Sequence, residues 1–245
     1  MMNDTLRQLD ERKSMRVYTD EPISPEARGA ILRATCAAPS AGCQQLYTIL
    51  DISDPALKQR LSETCDHQPF ITQAKLVLIF LADCRKWYEG FRLAGCAPRR
   101  PGAGDLLLAC ADAVIAAQNA VVAAHSLGIG SCYIGDILEN CETHRALLNL
   151  PEYVVPAAML VFGYPTQQQQ ARPKPRRADM DCIVFENAYP ERGDDDYRRM
   201  FSARMPADDY EGGMDAFCRR KYNSDFSREM TRSAEAYLRD FLEGV

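Results

Sequence analysis

The sequence predicts an α/β or α+β domain followed by a helical tail from about residue 190. Three observations lead there. Continuous apolar runs of strand length ("LYTILDI", 46–52; "AKLVLIFLAD", 74–83; "VVPAAMLVFGY", 154–164) alternate with helix-length segments. One long segment, "DLLLACADAVIAAQNAVVAAHSLGIG" (105–130), is apolar on nearly every face. The 245 residues are 47% hydrophobic with no long low-complexity tract, so roughly 70–75% of the unfolded surface can be buried in one or two domains.

Taken in order, residues 4–11 read as a short helix and "RKSMRVYTDEPIS" as extended chain. Ser24-Pro25-Glu26 supplies an N-cap and a first-turn proline for a helix to about Cys36. A strand follows at 46–52, then a helix from Asp54-Pro55 through about Glu63. The 74–83 run suits a strand covered on both faces. A variable region ending in "APRRPGAGD" leads into the long helix, which Gly128 and Gly130 close. "SCYIG" is strand-like, 142–148 a helix, and 154–164 a third buried strand. "PTQQQQARPKPRRADMD" reads as a linker and "CIVFENAY" (182–189) as a fourth strand standing away from the body. Helices are expected at 194–204, 213–222 and 226–242. The resulting division is a domain at 1–190 and a helical extension at 191–245.

Several function classes are disfavoured. A net charge of −5 argues against a nucleic-acid-binding face. The polar start "MMNDTLRQLDERKSMR" has no apolar core, so no signal peptide is expected and the chain is placed in the cytoplasm. The ten cysteines form no C-x-x-C and no Cys/His cluster, which leaves no metal site and predicts reduced, mostly buried thiols. Asp105, Asp112, Gln118, Asn119 and His125 interrupt the 105–130 segment, so it is expected to be a central helix of a core or, preferably, of an oligomer interface, and not a membrane span. No G-x-S-x-G is present, and His67, His125 and His144 form no H-E-x-x-H. No side chain is nominated as catalytic.

What remains points to a bound anionic ligand. In an extended "RKSMR", Arg12, Ser14 and Arg16 share one side, placing two guanidiniums around a hydroxyl. A second basic cluster, "RPKPRR" (172–177), is held extended by prolines. "PSAGCQQLY" (39–47) carries no charge and offers small residues, a hydroxyl, a thiol and two amides. Glycines in "SLGIGSCYIG" (126–135) allow close backbone approach. This is equipment for a protein whose reactivity comes from a cofactor.

In this order and spacing, "RKSMRVY", "APSAGCQQLY", "DHQPFITQAKLVLIF", "LGIGSCYIG", "PAAMLVFGYP" and "RPKPRR" resemble the blocks of the nitroreductase family of FMN-dependent oxidoreductases, over about residues 8–190. The tail resembles extensions on some members. The resemblance implies an α+β fold with a mixed central sheet flanked by helices. It also implies a homodimer with exchanged C-terminal segments and FMN at the interface. By position, Arg12, Lys13, Ser14 and Arg16 are expected at the phosphate and ribityl chain, with Lys174 and Arg176 closing on the phosphate. Gln68 is expected to set an amide against the flavin ring, and Tyr133, Ile134, Gly135 and Asp136 to bring backbone amides to its reactive edge. Pro39, Ser40, Ala41, Cys43 and Gln45 would come from the partner subunit and cover the ring. The loop departs from the family pattern at Cys43, where Asn is typical, and at Leu46-Tyr47, where Pro-Trp is typical.

The activity so implied is ping-pong transfer of hydride from NAD(P)H, via flavin N5, to nitroaromatic, quinone or similar acceptors. Nucleic acid and membrane are not expected as partners. Two other readings stand beside it. One is a specialised flavoenzyme of the same fold, a reductive dehalogenase or flavin-breakdown type, for which residues 85–104 would form a substrate lid. The other is a flavin-binding protein without turnover.

Overall fold

Strand β2 (Leu76–Asp83) is buried at every position, and that is why its sequence is a continuous apolar run. It lies in a four-stranded sheet with β1 (Tyr47–Asp51), β3 (Gly130–Ile134) and β4 (Val154–Gly163), in the order β1-β2-β4-β3 with every neighbouring pair antiparallel. A parallel bridge from Ser14 to Ser131 extends the β3 edge and makes the sheet mixed. A proline inside a central strand removes a ladder donor. β4 accommodates Pro156 where the register against β2 shifts, between Phe80 and Leu81.

The computed structural model describes residues 2–202, 204–206 and 208–242. They fall into two units, Met1–Arg172 with Glu229–Val245, and Pro173–Arg228. The sequence-based boundary at residue 190 lies inside the second unit.

In the first unit, alternation along the strands sends side chains to two cores. Leu76, Leu78, Phe80, Leu160 and Phe162 meet α2 (Pro25–Cys36) and α6 (Ala103–Ser126) on one face. Val77, Ile79, Leu81, Met159 and Val161 meet α3 (Pro55–Thr64) and the short α4 (Phe70–Gln73) on the other. The expected caps are in place: Ser24 Oγ accepts from Ala27 N at 3.1 Å, and Asp54 Oδ1 accepts from Ala56 N at 2.9 Å. α1 (Asp4–Glu11) precedes the extended segment, which Met15 N ties to Ser131 O at 2.9 Å and Thr19 N to Tyr164 O at 2.8 Å. Gly130 and Gly163 make this crossing possible, because a Cβ on them would come within 2.7 Å of Met15 and 2.6 Å of Tyr18. Helix α7 (Cys141–Leu148) packs with Tyr237 and Phe241 of the final helix, Asp225–Leu242.

α6 buries an alanine-rich face against the sheet, with Ala109, Ala113, Ala116, Ala117, Ala120 and Ala124 inaccessible. Its opposite face leaves Leu107, Leu108, Val114 and Ile115 exposed, by 72% in the case of Leu107. The helix is long and apolar enough to cross a membrane, yet its small-residue face is the core of this sheet.

The structure corrects four expectations. Residues 182–189 form no strand: the chain makes one 3-10 turn at Met180–Cys182 and then bends, leaving Ile183, Val184 and Phe185 exposed. Their β-propensity was read correctly, but a strand needs a neighbour to complete its ladder, and among the described residues none pairs with it. The supposed linker contains α8 (Gln167–Ala171), capped by Thr166 Oγ1 accepting from Gln169 N at 3.5 Å. The variable region contains α5 (Arg85–Leu93), whose amphipathic pattern alternates charge with Trp87, Tyr88 and Phe91. The break before β2 contains the single turn of α4. The second unit holds α9 (Asp194–Ser202) and α10 (Tyr210–Lys221), joined by the Arg198–Glu211 ion pair at 2.7 Å.

Candidate functional site

Arg12 caps the C-terminus of α1, and its Nε and Nη2 are buried with no hydrogen-bond partner. A buried guanidinium with unpaired N–H groups carries a desolvation cost that an anionic ligand offsets. Ser14 and Arg16 join it. Burial pushes the Cys132 thiol on β3 up, and Arg16, Ser14 and Arg12 act on that sulfur in the opposite sense. The bridge from Ser14 to Ser131 and the Met15 N–H bond to Ser131 O lay the segment extended along β3 beside Cys132, so that Arg12, Ser14 and Arg16 alternate onto one side. Their donor set fits a phosphate.

Lys13 also braces the segment. Its ammonium donates to Gln170 O at 2.6 Å and to the Arg172 carbonyl, which ties the basic segment to the end of α8. Arg172 replies with Nη2 donating to Ser14 O at 2.6 Å, and its Nε is also buried without a partner. Gln169 is buried and accepts the Arg16 backbone N–H at 3.2 Å. Lys174 and Arg176 lie in the second unit, exposed.

Tyr133 and Ile134 end β3, and Gly135 and Asp136 begin a 3-10 turn to Leu138. The Tyr133 hydroxyl donates to Gln118 on α6 at 3.3 Å, and burial pushes its pKa up to about 12 against the pull of Arg12. Gly135 is exposed and carries no side chain over the turn. Gln68 follows Asp66 and His67, two non-glycine residues at φ 58° and 50°. Backbone strain of this kind persists only where surrounding contacts fix it. Here Gln68 N donates to Ser62 O at 3.0 Å, and Nε2 to Cys65 O at 2.9 Å.

Glu139 links these last two segments. It is 6% exposed, its Oε1 is buried without a partner, and its N–H donates to Asp136 O at 3.0 Å. Burial first, then Asp136, Asp66 and Glu229, raises its pKa to about 7. His144, beside it, is a satisfied core histidine between Ile137 O at 3.0 Å and Thr64 Oγ1 at 2.9 Å, with its pKa lowered by burial. Burial also lowers His125 on α6.

The uncharged loop is built separately. Pro39 is exposed, Ser40 Oγ accepts from Gln45 N at 2.9 Å, and Ala41–Cys43 form a 3-10 turn with Gly42 at φ 56°. Cys43 and Gln45 also take positive φ, and Gln45 Nε2 donates to Cys36 O at 3.0 Å. The anchor is Asp112, 3% exposed in the middle of α6, which accepts from Ala41 N at 2.9 Å and Leu46 N at 3.1 Å. Arg12 borders α6 at Gln118, Val122 and His125. Gln118 lies six residues beyond Asp112 and His125 thirteen, or about 9 and 20 Å along the axis. Arg12 and Tyr133 thus meet α6 from Gln118 onward, whereas residues 39–45 are anchored nearer its start, at Asp112.

Sequence reasoning missed Asp112 and Glu139 as working residues, and within the 172–177 cluster it nominated Lys174 and Arg176 but not Arg172. For Asp112 a signal was present: an aspartate amid the chain's most apolar segment needs buried donors. Glu139 carried none, because its neighbours Asp66 and Glu229 come from distant parts of the chain.

A mixed sheet between two apolar cores, with buried unpartnered guanidinium groups at one edge, makes this an α+β protein with a candidate anion site. The chain belongs to the nitroreductase family, whose sequence model matches residues 9–164. It is 34% identical over 189 residues to the oxygen-insensitive NADPH nitroreductase of Salmonella typhimurium, covering 77% of this chain and 75% of that protein. It is 28% identical over 242 residues to an FMN reductase [NAD(P)H] of Bacillus subtilis, covering 96% and 91%. The solved structure of B. megaterium NfrA2 superposes with a TM-score of 0.84 at 28% identity, covering 96% of this chain and 98% of that one.

Proposed function

We infer that the chain is an NAD(P)H-dependent oxidoreductase that binds FMN non-covalently and reduces nitroaromatic, quinone or similar conjugated acceptors. The observation that carries this reading is the buried, unpartnered guanidinium edge of Arg12 beside Ser14 and Arg16, in a chain whose relatives are named FMN reductase and NADPH nitroreductase. Arg12, Ser14, Arg16 and Arg172 would hold the phosphate. Lys13 would act by fixing the 169–172 segment, and Lys174 and Arg176 are proposed as further phosphate ligands. Gln68 and the Tyr133–Asp136 turn would meet the ring system. Bound FMN would supply two-electron redox chemistry between NAD(P)H and the acceptor, in a ping-pong sequence.

The protein's own part is orientation and water exclusion. His144 is a core residue, hydrogen-bonded on both ring nitrogens, to Ile137 O and Thr64 Oγ1. A homodimer fits the exposed Leu107, Leu108, Val114 and Ile115 on α6, the unpaired apolar run 183–185, and the separation of the 39–45 loop from the Arg12 cluster. In such a dimer each loop would serve the partner's site. The cytoplasm is the compartment proposed. The test is anaerobic addition of NAD(P)H to the purified yellow protein, which should bleach the flavin. A flavin that stays oxidised would favour a binding protein without turnover.

A further inference from the structure

Three carboxyl groups are buried among the described residues, and two of them are fully served by donors. Asp83 accepts from Thr48 Oγ1 at 2.6 Å and from the N–H groups of Arg85 and Lys86 at 3.1 Å, and Asp112 accepts from two backbone N–H groups. Glu139 is the exception: its Oε1 is buried with no partner. A carboxyl without donors is held more cheaply as the neutral acid than as the anion.

The charges around Glu139 push the same way. Asp136 on its own turn, Asp66 just beyond α3 and Glu229 on the final helix add to burial in raising it to about 7. Cys65 after α3 and Cys141 on α7 are thiols pushed up by burial, and His144 on α7 is pushed down by it. The cations nearby are engaged elsewhere. Arg232 is held by Glu142 at 2.9 Å and by Glu229 at 2.8 Å, and Arg145 pairs with Asp240.

Glu139 directly follows the Gly135–Leu138 turn, and that turn is tied down from behind. Ile137 O lies 3.0 Å from His144 Nδ1, and Leu138 O accepts from the buried Ser233 hydroxyl at 2.6 Å. Ser233 Oγ in turn accepts from Cys141 N at 2.9 Å. Asn140 N donates to Glu229 Oε1 and Asn140 Nδ2 to Thr64 O, both at 3.0 Å. A turn held at this many points cannot swing away from a charge that appears on Glu139, so the charge acts through space.

We propose that Glu139 is a proton-holding residue that tunes the flavin met by the Tyr133–Asp136 turn: neutral, it leaves negative charge on the reduced ring unopposed; ionised, it opposes that charge and takes up a proton when the ring is reduced. The inference rests on the placement of that turn against the ring, proposed above. Hydride from NAD(P)H brings two electrons and one proton to the ring and leaves it with one added negative charge. Where Glu139 starts ionised, a solvent proton then adds to its carboxylate oxygen and forms an O–H bond. Where it starts protonated, no such uptake occurs. Glu139 thus acts through its charge and touches neither substrate nor ring.

The test is a potentiometric titration of the FMN holoenzyme, reduced by dithionite in the presence of a mediator dye, at a series of pH values. Wild type and Glu139→Gln should share one midpoint at about pH 6 and separate above about pH 7, with wild type the harder to reduce. The separation should amount to about a three- to tenfold shift in the reduction equilibrium, the scale of one unit charge in a partly desolvated site. A merely structural role would displace the two lines at every pH. Asp66→Asn removes one facing carboxylate at an exposed, left-handed position that asparagine adopts readily, so it should move the break in the wild-type line to lower pH. Midpoints of wild type and Glu139→Gln that differ equally or not at all across the range, or a break that Asp66→Asn leaves in place, would each overturn the proposal. If Glu139→Gln fails to hold FMN, the Asp66→Asn comparison decides alone. Dithionite needs no nicotinamide, so separated midpoints in a protein that NAD(P)H does not bleach would leave the tuning in place and sink the oxidoreductase reading. Coincident midpoints in a protein that NAD(P)H does bleach would do the reverse.

Discussion

Asp112→Asn isolates the device that holds the uncharged loop. The carboxylate accepts one backbone N–H on each oxygen, from Ala41 and from Leu46, and it does so almost completely buried. Asparagine fits the same space but has one acceptor oxygen. Its NH₂ must face the second N–H, donor against donor. A hydrogen bond to a charged group contributes about 1.5–3 kcal/mol, and leaving a buried donor unpaired costs a similar amount. Taking one such loss and about 2–4 °C of melting temperature per kcal/mol for a chain of this size, Tm should fall by about 3–12 °C. Amide hydrogen exchange should localise the effect, with Ala41 and Leu46 exchanging faster and the β2 ladder keeping its protection. A Tm within about 1 °C of wild type, with both amides still protected, would refute the claim that Asp112 pins the loop.

Three further outcomes follow from the same geometry. Glu139 is held protonated by burial and by its acidic neighbours, so its contribution is complete below its ordinary value of 4.5 and is lost as pH rises through about 7. Glu139→Gln should flatten the fall in Tm across that window and be more stable than wild type at the alkaline end, whereas a wild-type slope in the variant would contradict this assignment. Arg12→Ala should weaken FMN binding at least a hundredfold, since removing one partner of a buried charged contact costs about 3–5 kcal/mol; full retention of FMN on dilution and filtration would place the phosphate elsewhere. Sedimentation at low micromolar concentration should show only dimer, because covering the outer face of α6 implies an interface of about 2,000 Å² or more, and a stable FMN-loaded monomer would remove the partner role assigned to residues 39–45.

How far the sequence carried depended on whether a feature was local. The start of α2 at Ser24-Pro25, the helix after Asp54-Pro55 and the three apolar strands follow from caps and burial patterns within a few residues, and they stand where expected. The extended course of residues 12–16 was legible, and extended chain alternates its side chains. What was illegible required tertiary contacts. α5 looks like variable charged sequence until its Trp87 indole N–H finds Gln44 O. The ties from the Lys13 ammonium to the carbonyls of Gln170 and Arg172 join segments about 160 residues apart and leave no local trace. The run at 182–189 has the composition of a strand, but composition does not supply a partner strand.

The central claim, that this chain passes electrons from a nicotinamide cofactor to an acceptor through bound flavin, is tested most directly by an anaerobic titration of the holoenzyme. NAD(P)H added in fractions of the FMN concentration should bleach the yellow absorbance linearly, reaching its end point at one equivalent per flavin. One equivalent of menadione, added without oxygen, should then restore the oxidised spectrum. A flavin that neither NADH nor NADPH bleaches, or one that is bleached but that menadione fails to reoxidise, would contradict the account.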